Sequence, residues 1–298
     1  MDYNKIVQGI LDIGEAMLQS GAENFRLEDS FYRMCRSYGF KRSDVFVIPS
    51  NIQVTVETPE GEIITQIRHI ESTGADYDKL NYLNAMSRYV CSHNPDEKEL
   101  VRRFKKVMAR PDQSELITGL AQITGGTAFA VFFGCDLQDA VVALIVCLMI
   151  VLVGRWLSRR EGNPMIYNLI LAFLSEVVIV TAVRSGLGHH PDRIMIGIVM
   201  LLVSALGAIN GMRDVMQRNF ISGSLEVMNS MLGAFGIAFG IALAMMLMGN
   251  ISAEGFDVNN NTVIQLISCT IGCTGYASWF KMRGKKILYS SVGAFLTW

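Results

Sequence analysis

The sequence predicts a polytopic α-helical membrane protein with a small N-terminal α+β domain on the cytoplasmic side. Three observations carry that reading. Only 18% of the 298 residues are charged while 51% are hydrophobic, and the mean hydropathy is +0.33; soluble domains carry about 25% charge. The charge is also concentrated before residue 115, after which the chain falls into apolar runs of roughly 18–25 residues, the length a helix needs to cross a ~30 Å hydrocarbon core. Finally, basic residues gather in alternate loops, as expected of a membrane protein with fixed topology.

Residues 1–112 form the first domain. Ile6, Ile10, Ile13, Met17 and Leu18 recur at helical spacing until Ser20-Gly21 ends the run. A second helix over about 23–37 carries Phe25, Leu27, Phe31, Tyr32, Met34 and Cys35, with Gly39 as its C-cap. The period then changes to that of strands at Val45–Ile48, Ile52–Glu57 and Glu62–Arg68, the last two joined by a Pro59-Glu60-Gly61 turn. Two helices follow, at about 76–92 and 96–108. No signal peptide opens the chain, because the first residues lead into an amphipathic run; this domain is expected to stay on the side where it is made.

Residues 113–250 read as a five-helix transmembrane domain, with spans at about 116–133, 138–157, 166–183, 194–208 and 226–248. Residues 251–298 add a further span at about 263–280. One side of the membrane receives the basic cluster at 102–110, then Arg155, Arg159 and Arg160, then Arg213 and Arg218, then Lys281, Arg283, Lys285 and Lys286. The other side receives Arg184 and Arg193 with Asp136, Asp139, Glu254 and Asp257. The asymmetry predicts a cytoplasmic N-terminus and a multi-pass protein of the cell (inner or plasma) membrane. Gly233, Gly236 and Gly240 lie on one stripe of the fifth span and permit close helix packing. Gly125, Gly126 and Thr127 do the same in the first span or open it around a site.

Several chemistries find no support. The net charge of −1 gives no nucleic-acid footprint. The six cysteines include no Cys-x-x-Cys pair; Cys269 and Cys273 share a helix face without a His or carboxylate to complete a metal site, so they read as small apolar residues. His69 and His93 stand alone. No phosphate loop, nucleophile elbow or His-Glu-x-x-His motif occurs, so neither an enzyme nor a cofactor is predicted.

Ionisable groups inside or beside the spans are the sharper signal. Glu176 falls midway along the third span, where a carboxylate costs roughly 3 kcal/mol on insertion scales, so it should face the bundle interior and either carry a proton or bind neighbouring helices together. Asn168 precedes it by two turns on the same face. Asn210, Arg213 and Asp214 fall where the fourth span meets the cytoplasm, and Glu226 opens the fifth. With Gly207, Gly211 and Gly223 to ease bends, this stretch reads either as a transport site at a broken helix or as an ordinary basic loop. In the first domain Glu23, Arg26 and Glu28, with Glu15 nearby, cluster at the first helix junction, as a polar site or as a solvated ion-paired face.

Asn210-x-x-Arg213-Asp214, followed by Ser222-Gly223 and Glu226, resembles the central signature of the threonine/serine exporter (ThrE) family. Gly21-Ala22-Glu23, Arg26 and Glu28 resemble its N-terminal pattern, and the likeness covers about residues 10–250. The resemblance implies export of small hydrophilic metabolites, threonine and serine among them, driven by the proton-motive force. Intramembrane or membrane-edge placement, rather than the resemblance, suggests Arg213 on a substrate carboxylate or paired with Asp214, and Glu176 or Glu226 as the proton carrier. Some members are split between two chains, one such pair being associated with succinate export. Residues 264–298 resemble the start of the family's second half and stop inside what would be a seventh span, so a fragment or a partner chain is expected. The glycine stripes also suit a homo-oligomer. The rival reading is a membrane-tethered hydrolase, which would need a nucleophile–base pair that residues 1–112 do not spell out.

Overall fold

A computed structural model describes residues 2–249 and 261–297. Glu254 and Asp257, named above, lie outside the described residues. The chain divides into two compact units, residues 1–112 with 209–227, and residues 113–208 with 228–298.

In the first unit, helices α1 (Tyr3–Gln19) and α2 (Asn24–Ser37) precede an antiparallel sheet of β1 (Arg42–Ile48), β2 (Asn51–Glu57) and β3 (Ile63–His69), in that order. Helices α3 (Tyr77–His93) and α4 (Glu97–Met108) follow. Strand alternation fixes the register: Val47 pairs with Ile52 and Val56 with Ile64, so Val47, Ile52, Val54, Val56 and Ile64 face inward together. They join Ile6, Ile10, Ile13, Leu27, Phe31, Leu83 and Leu100 in one core. Gly61 takes φ +91° in the β2–β3 turn and Gly39 takes +77° beyond α2, the left-handed conformations those positions require.

The second unit contains α5 (Glu115–Phe132), α6 (Leu137–Leu157), α7 (Pro164–Arg184), α8 (Pro191–Leu202), α11 (Thr262–Trp279) and α12 (Lys285–Thr297). Helices α9 (Ala205–Met216) and α10 (Phe220–Met248) contribute residues to both units. Val142, Val146, Ile150, Leu171, Ile179, Ile194 and Ile198 are among its buried core. The glycine stripe of α10 does pack closely: a Cβ on Gly236 would strike the Met165 carbonyl oxygen, and one on Gly240 the Leu169 carbonyl oxygen. Helix α5 stays continuous through Gly125 and Gly126; Gly125 instead abuts Gly275 of α11, whose Cβ would lie 2.8 Å from the Gly125 Cα. Cys269 and Cys273 are half-buried rather than core residues.

Two details of the expected spans differ. Among the described residues, α6, α7 and α10 are long and apolar enough to cross a membrane; α8 and α9 reach that standard only together, as a pair bent by 55°, the geometry of a broken span or a re-entrant loop. The first and sixth expected spans, α5 and α11, are diluted by Gln, Ser, Thr and Gly and fall short of that standard. The fourth is interrupted at Val203–Ser204 rather than at a glycine, and its helix resumes as far as Met216.

Candidate functional site

The first unit holds a polar cluster built on two helix junctions. The α1–α2 junction is fixed by backbone bonds to the segment after β3: Gly74 N–H donates to the Gln19 carbonyl at 3.0 Å, and Asp76 N–H to the Ser20 carbonyl at 3.0 Å. Gly21 sits between them at φ +91°, where a Cβ would lie 2.7 Å from the Gly74 carbonyl oxygen. Only glycine fits that corner. The second junction is the short turn at 217–219 between α9 and α10, where Arg218 takes φ +69°. Above it the helices touch through glycines: a Cβ on Gly211 would meet the Gly223 carbonyl oxygen at 2.9 Å, and one on Gly223 the Gly211 carbonyl oxygen at 2.5 Å.

Asp214 is the hub. It is 1% exposed, and its Oδ2 accepts hydrogen bonds from Ser222 Oγ at 2.9 Å and Asn24 Nδ2 at 3.1 Å. Asn24 Nδ2 also donates to Ser222 Oγ at 2.7 Å, closing a buried triangle between the first turn of α2 and both arms of the α9–α10 hairpin. Glu23, the residue before α2, caps no backbone group with its side chain. Its carboxylate binds Arg213 Nη1 at 2.7 Å and Arg26 Nε at 3.1 Å. One turn along α2, Glu28 accepts from the Val47 N–H at 3.2 Å and from Asn219 Nδ2 at 3.4 Å. Burial pushes the Glu28 carboxyl above its usual range, the Asp214 charge adds to that, and the two hydrogen bonds oppose it. Glu226, one turn beyond Ser222, lies within reach of the charges of Asp214 and Glu23. Asn210 is half-buried one turn before Asp214 on the same helix face.

The first unit therefore brings together Glu23, Arg26, Glu28, Asn210, Arg213, Asp214 and Glu226, from segments some 190 residues apart. Arg213 takes Glu23 as its partner rather than Asp214, whose Oδ2 accepts from two neutral donors. Asn24 and Asn219 are new members. Their only signal in the sequence is adjacency to the motifs, Asn24 beside Glu23 and Asn219 three residues before Ser222.

Asn168 and Glu176 belong to the second unit. Asn168 is buried and donates from Nδ2 to the Gly233 carbonyl at 3.3 Å, joining α7 to α10. Glu176 is 3% exposed, and its Oε2 has no hydrogen-bond partner among the described residues.

Chemically, the first-unit cluster offers acidic groups for a cation or ammonium and, at Arg213, a guanidinium able to exchange Glu23 for another carboxylate. The sequence over residues 8–248 matches the family model described as "Putative threonine/serine exporter" (ThrE). No curated protein and no solved structure gives a match.

Proposed function

The chain belongs to the ThrE family of threonine/serine exporters, and from that premise we propose that it is a proton-coupled secondary exporter of threonine- or serine-type amino acids. The observation that carries the proposal is the juxtaposition of Glu23, Arg213, Asp214 and Glu226 in one cluster. An amino-acid zwitterion needs an anion for its ammonium and a cation for its carboxylate. In this reading Asp214 or Glu226 takes the ammonium, with Asn210 beside it, and Arg213 takes the carboxylate by releasing Glu23. Arg26 keeps Glu23 compensated when that happens, and Glu28 holds Asn219 and hence the hairpin turn.

We assign the coupling proton to Glu176, supported by its burial and its unpartnered oxygen, with Glu226 as the other candidate. Asn168 acts as an α7–α10 tie that would shift if Glu176 changed charge. In this reading residues 1–112 are a cytoplasmic domain, residues 113–250 the transmembrane domain and residues 251–298 a further membrane segment, the whole chain being anchored in the inner or plasma membrane. Proteoliposomes under an imposed pH gradient test the coupling. Glu176→Gln should keep threonine exchange while losing gradient-driven accumulation at least tenfold. Undiminished accumulation by that variant would remove Glu176 from the proton path.

A second reading, one component of a two-chain dicarboxylate exporter, is favoured by α12. Leu288, Tyr289, Val292, Phe295 and Leu296 are exposed there, and the helix has no buried residue. A partner chain or a second copy would cover it. Succinate transport appearing only when a second-half chain is co-reconstituted would support this reading over the first.

A further inference from the structure

At one end of the second unit, the α5–α6 and α7–α8 connections meet in a cluster that the transport proposal does not use. Asp136 is the N-cap of α6 and forms a reciprocal capping box with Asp139. Asp139 is fully buried. Its Oδ1 accepts the backbone N–H groups of His189 at 2.8 Å and His190 at 3.2 Å, and its Oδ2 lies 2.8 Å from His190 Nδ1. Asp136 Oδ2 lies 3.0 Å from His189 Nδ1. Gly188 permits the approach, since even a Cβ there would come within 3.2 Å of Asp139 Oδ1. From the sequence, Asp136 and Asp139 count only as acidic residues on one side of the membrane, and His189 and His190 carry no assignment. Two adjacent histidines carry no ligand spacing, and only the meeting of two distant loops gives them carboxylate neighbours.

One donor atom from each of Asp136, Asp139 and His189 can be chosen so that all lie within 4.8 Å of one another. Donors held about 2.0–2.2 Å from a common ion require a modest contraction of that spacing. We propose that Asp136, Asp139 and His189 form a binding site for a divalent transition cation of the zinc class, which ties the α5–α6 connection to the α7–α8 connection. Charge supports the assignment. Two carboxylates and a neutral imidazole balance a doubly charged ion, while the nearby Asp192 and Arg193 offset one another; the fields of all four charged residues converge on the Cys135 thiol. Imidazole in the donor set selects against magnesium and calcium, which prefer oxygen alone. His190 orients the Asp139 carboxylate from outside the ion's own ligands, as partners of metal-binding carboxylates do. The ion takes the lone pair at His189 Nδ1, and a proton held there leaves to solvent, which the half-exposed side chain reaches.

The test is calorimetric titration of the purified, chelator-stripped full chain in detergent with zinc chloride, with magnesium chloride as the comparison. One saturable zinc site per chain is expected, without a magnesium signal. Asp136→Asn, which retains a good N-cap, and His189→Gln should each weaken zinc binding at least tenfold, while His69→Gln leaves it unchanged. A paired Cys269→Ser/Cys273→Ser variant tests a rival pair of soft donors in the unit. Absence of saturable zinc binding by monodisperse wild-type protein would overturn the proposal. So would wild-type affinity in both loop variants, or loss of binding only in the cysteine variant.

Discussion

Removing the Asp214 carboxylate would leave two buried donors, Asn24 Nδ2 and Ser222 Oγ, without their acceptor. An orphaned buried donor costs about 1–3 kcal/mol, so Asp214→Ala should lower the melting temperature measurably and abolish threonine exchange. Asp214→Asn retains an acceptor oxygen and should be the milder change in stability while still losing exchange. Wild-type exchange by Asp214→Asn would show that the carboxylate is structural. Glu28 gives a pH prediction. Its folded pKa is raised, chiefly by desolvation, so its contribution to stability is full below the unfolded carboxyl pKa and is lost as pH rises through the folded value. Glu28→Gln should therefore gain stability relative to wild type at pH 7 and show no such gain at pH 4, by thermal unfolding at both. Asp214, Arg213 and Glu23 were legible as candidate site residues, through motif and membrane-edge placement. The choice of partners was not: whether Arg213 meets Glu23 or Asp214 depends on how a helix near residue 24 meets one near residue 214, and local pattern holds no such information.

The α9–α10 hairpin is the element that converts these contacts into a site. Gly211 and Gly223 let its arms approach to backbone contact, and Gly223→Ala would put a methyl group 2.5 Å from the Gly211 carbonyl oxygen. Overpacking of this kind costs about 1–3 kcal/mol, and separation of the arms should also pull Ser222 from Asp214 and reduce exchange. Normal melting and exchange by Gly223→Ala would mean the hairpin is not tightly packed in solution. Across the same hairpin the Glu23–Arg213 pair, with Arg213 46% exposed, should contribute no more than about 1 kcal/mol to stability. A double-mutant cycle of Glu23→Gln and Arg213→Gln should therefore show weak coupling in melting and strong coupling in threonine affinity. The helices and strands of the first unit were readable because their periods of 3.6 and 2 are strong and their glycine stops lie at positive φ. The break at Val203–Ser204 was not readable, since the run 194–208 is apolar throughout and contains no breaker at that position. Glycines drew attention as bends, whereas Gly211 and Gly223 serve as contact points.

At the scale of the molecule, residues 209–227 join the N-terminal 112 residues in one compact unit, although they lie between and within the apolar segments of the chain. Composition alone splits this chain at about residue 112, because charge density changes there. It cannot see that a later hairpin belongs with the early domain, since that hairpin lies about a hundred residues beyond the boundary, between two apolar runs. The consequence for transport is direct: any movement of α9 and α10 during a cycle must be felt at Glu23, Asn24 and Glu28. The measurement that tests this most directly is counterflow in proteoliposomes loaded with unlabelled threonine, using labelled threonine, serine and succinate outside, for wild type and for Asn24→Ala, a residue remote in sequence from every span. The account predicts exchange of threonine and serine but not succinate, reduced at least tenfold by Asn24→Ala. Flux no greater than in protein-free liposomes, or full exchange by Asn24→Ala, would contradict it.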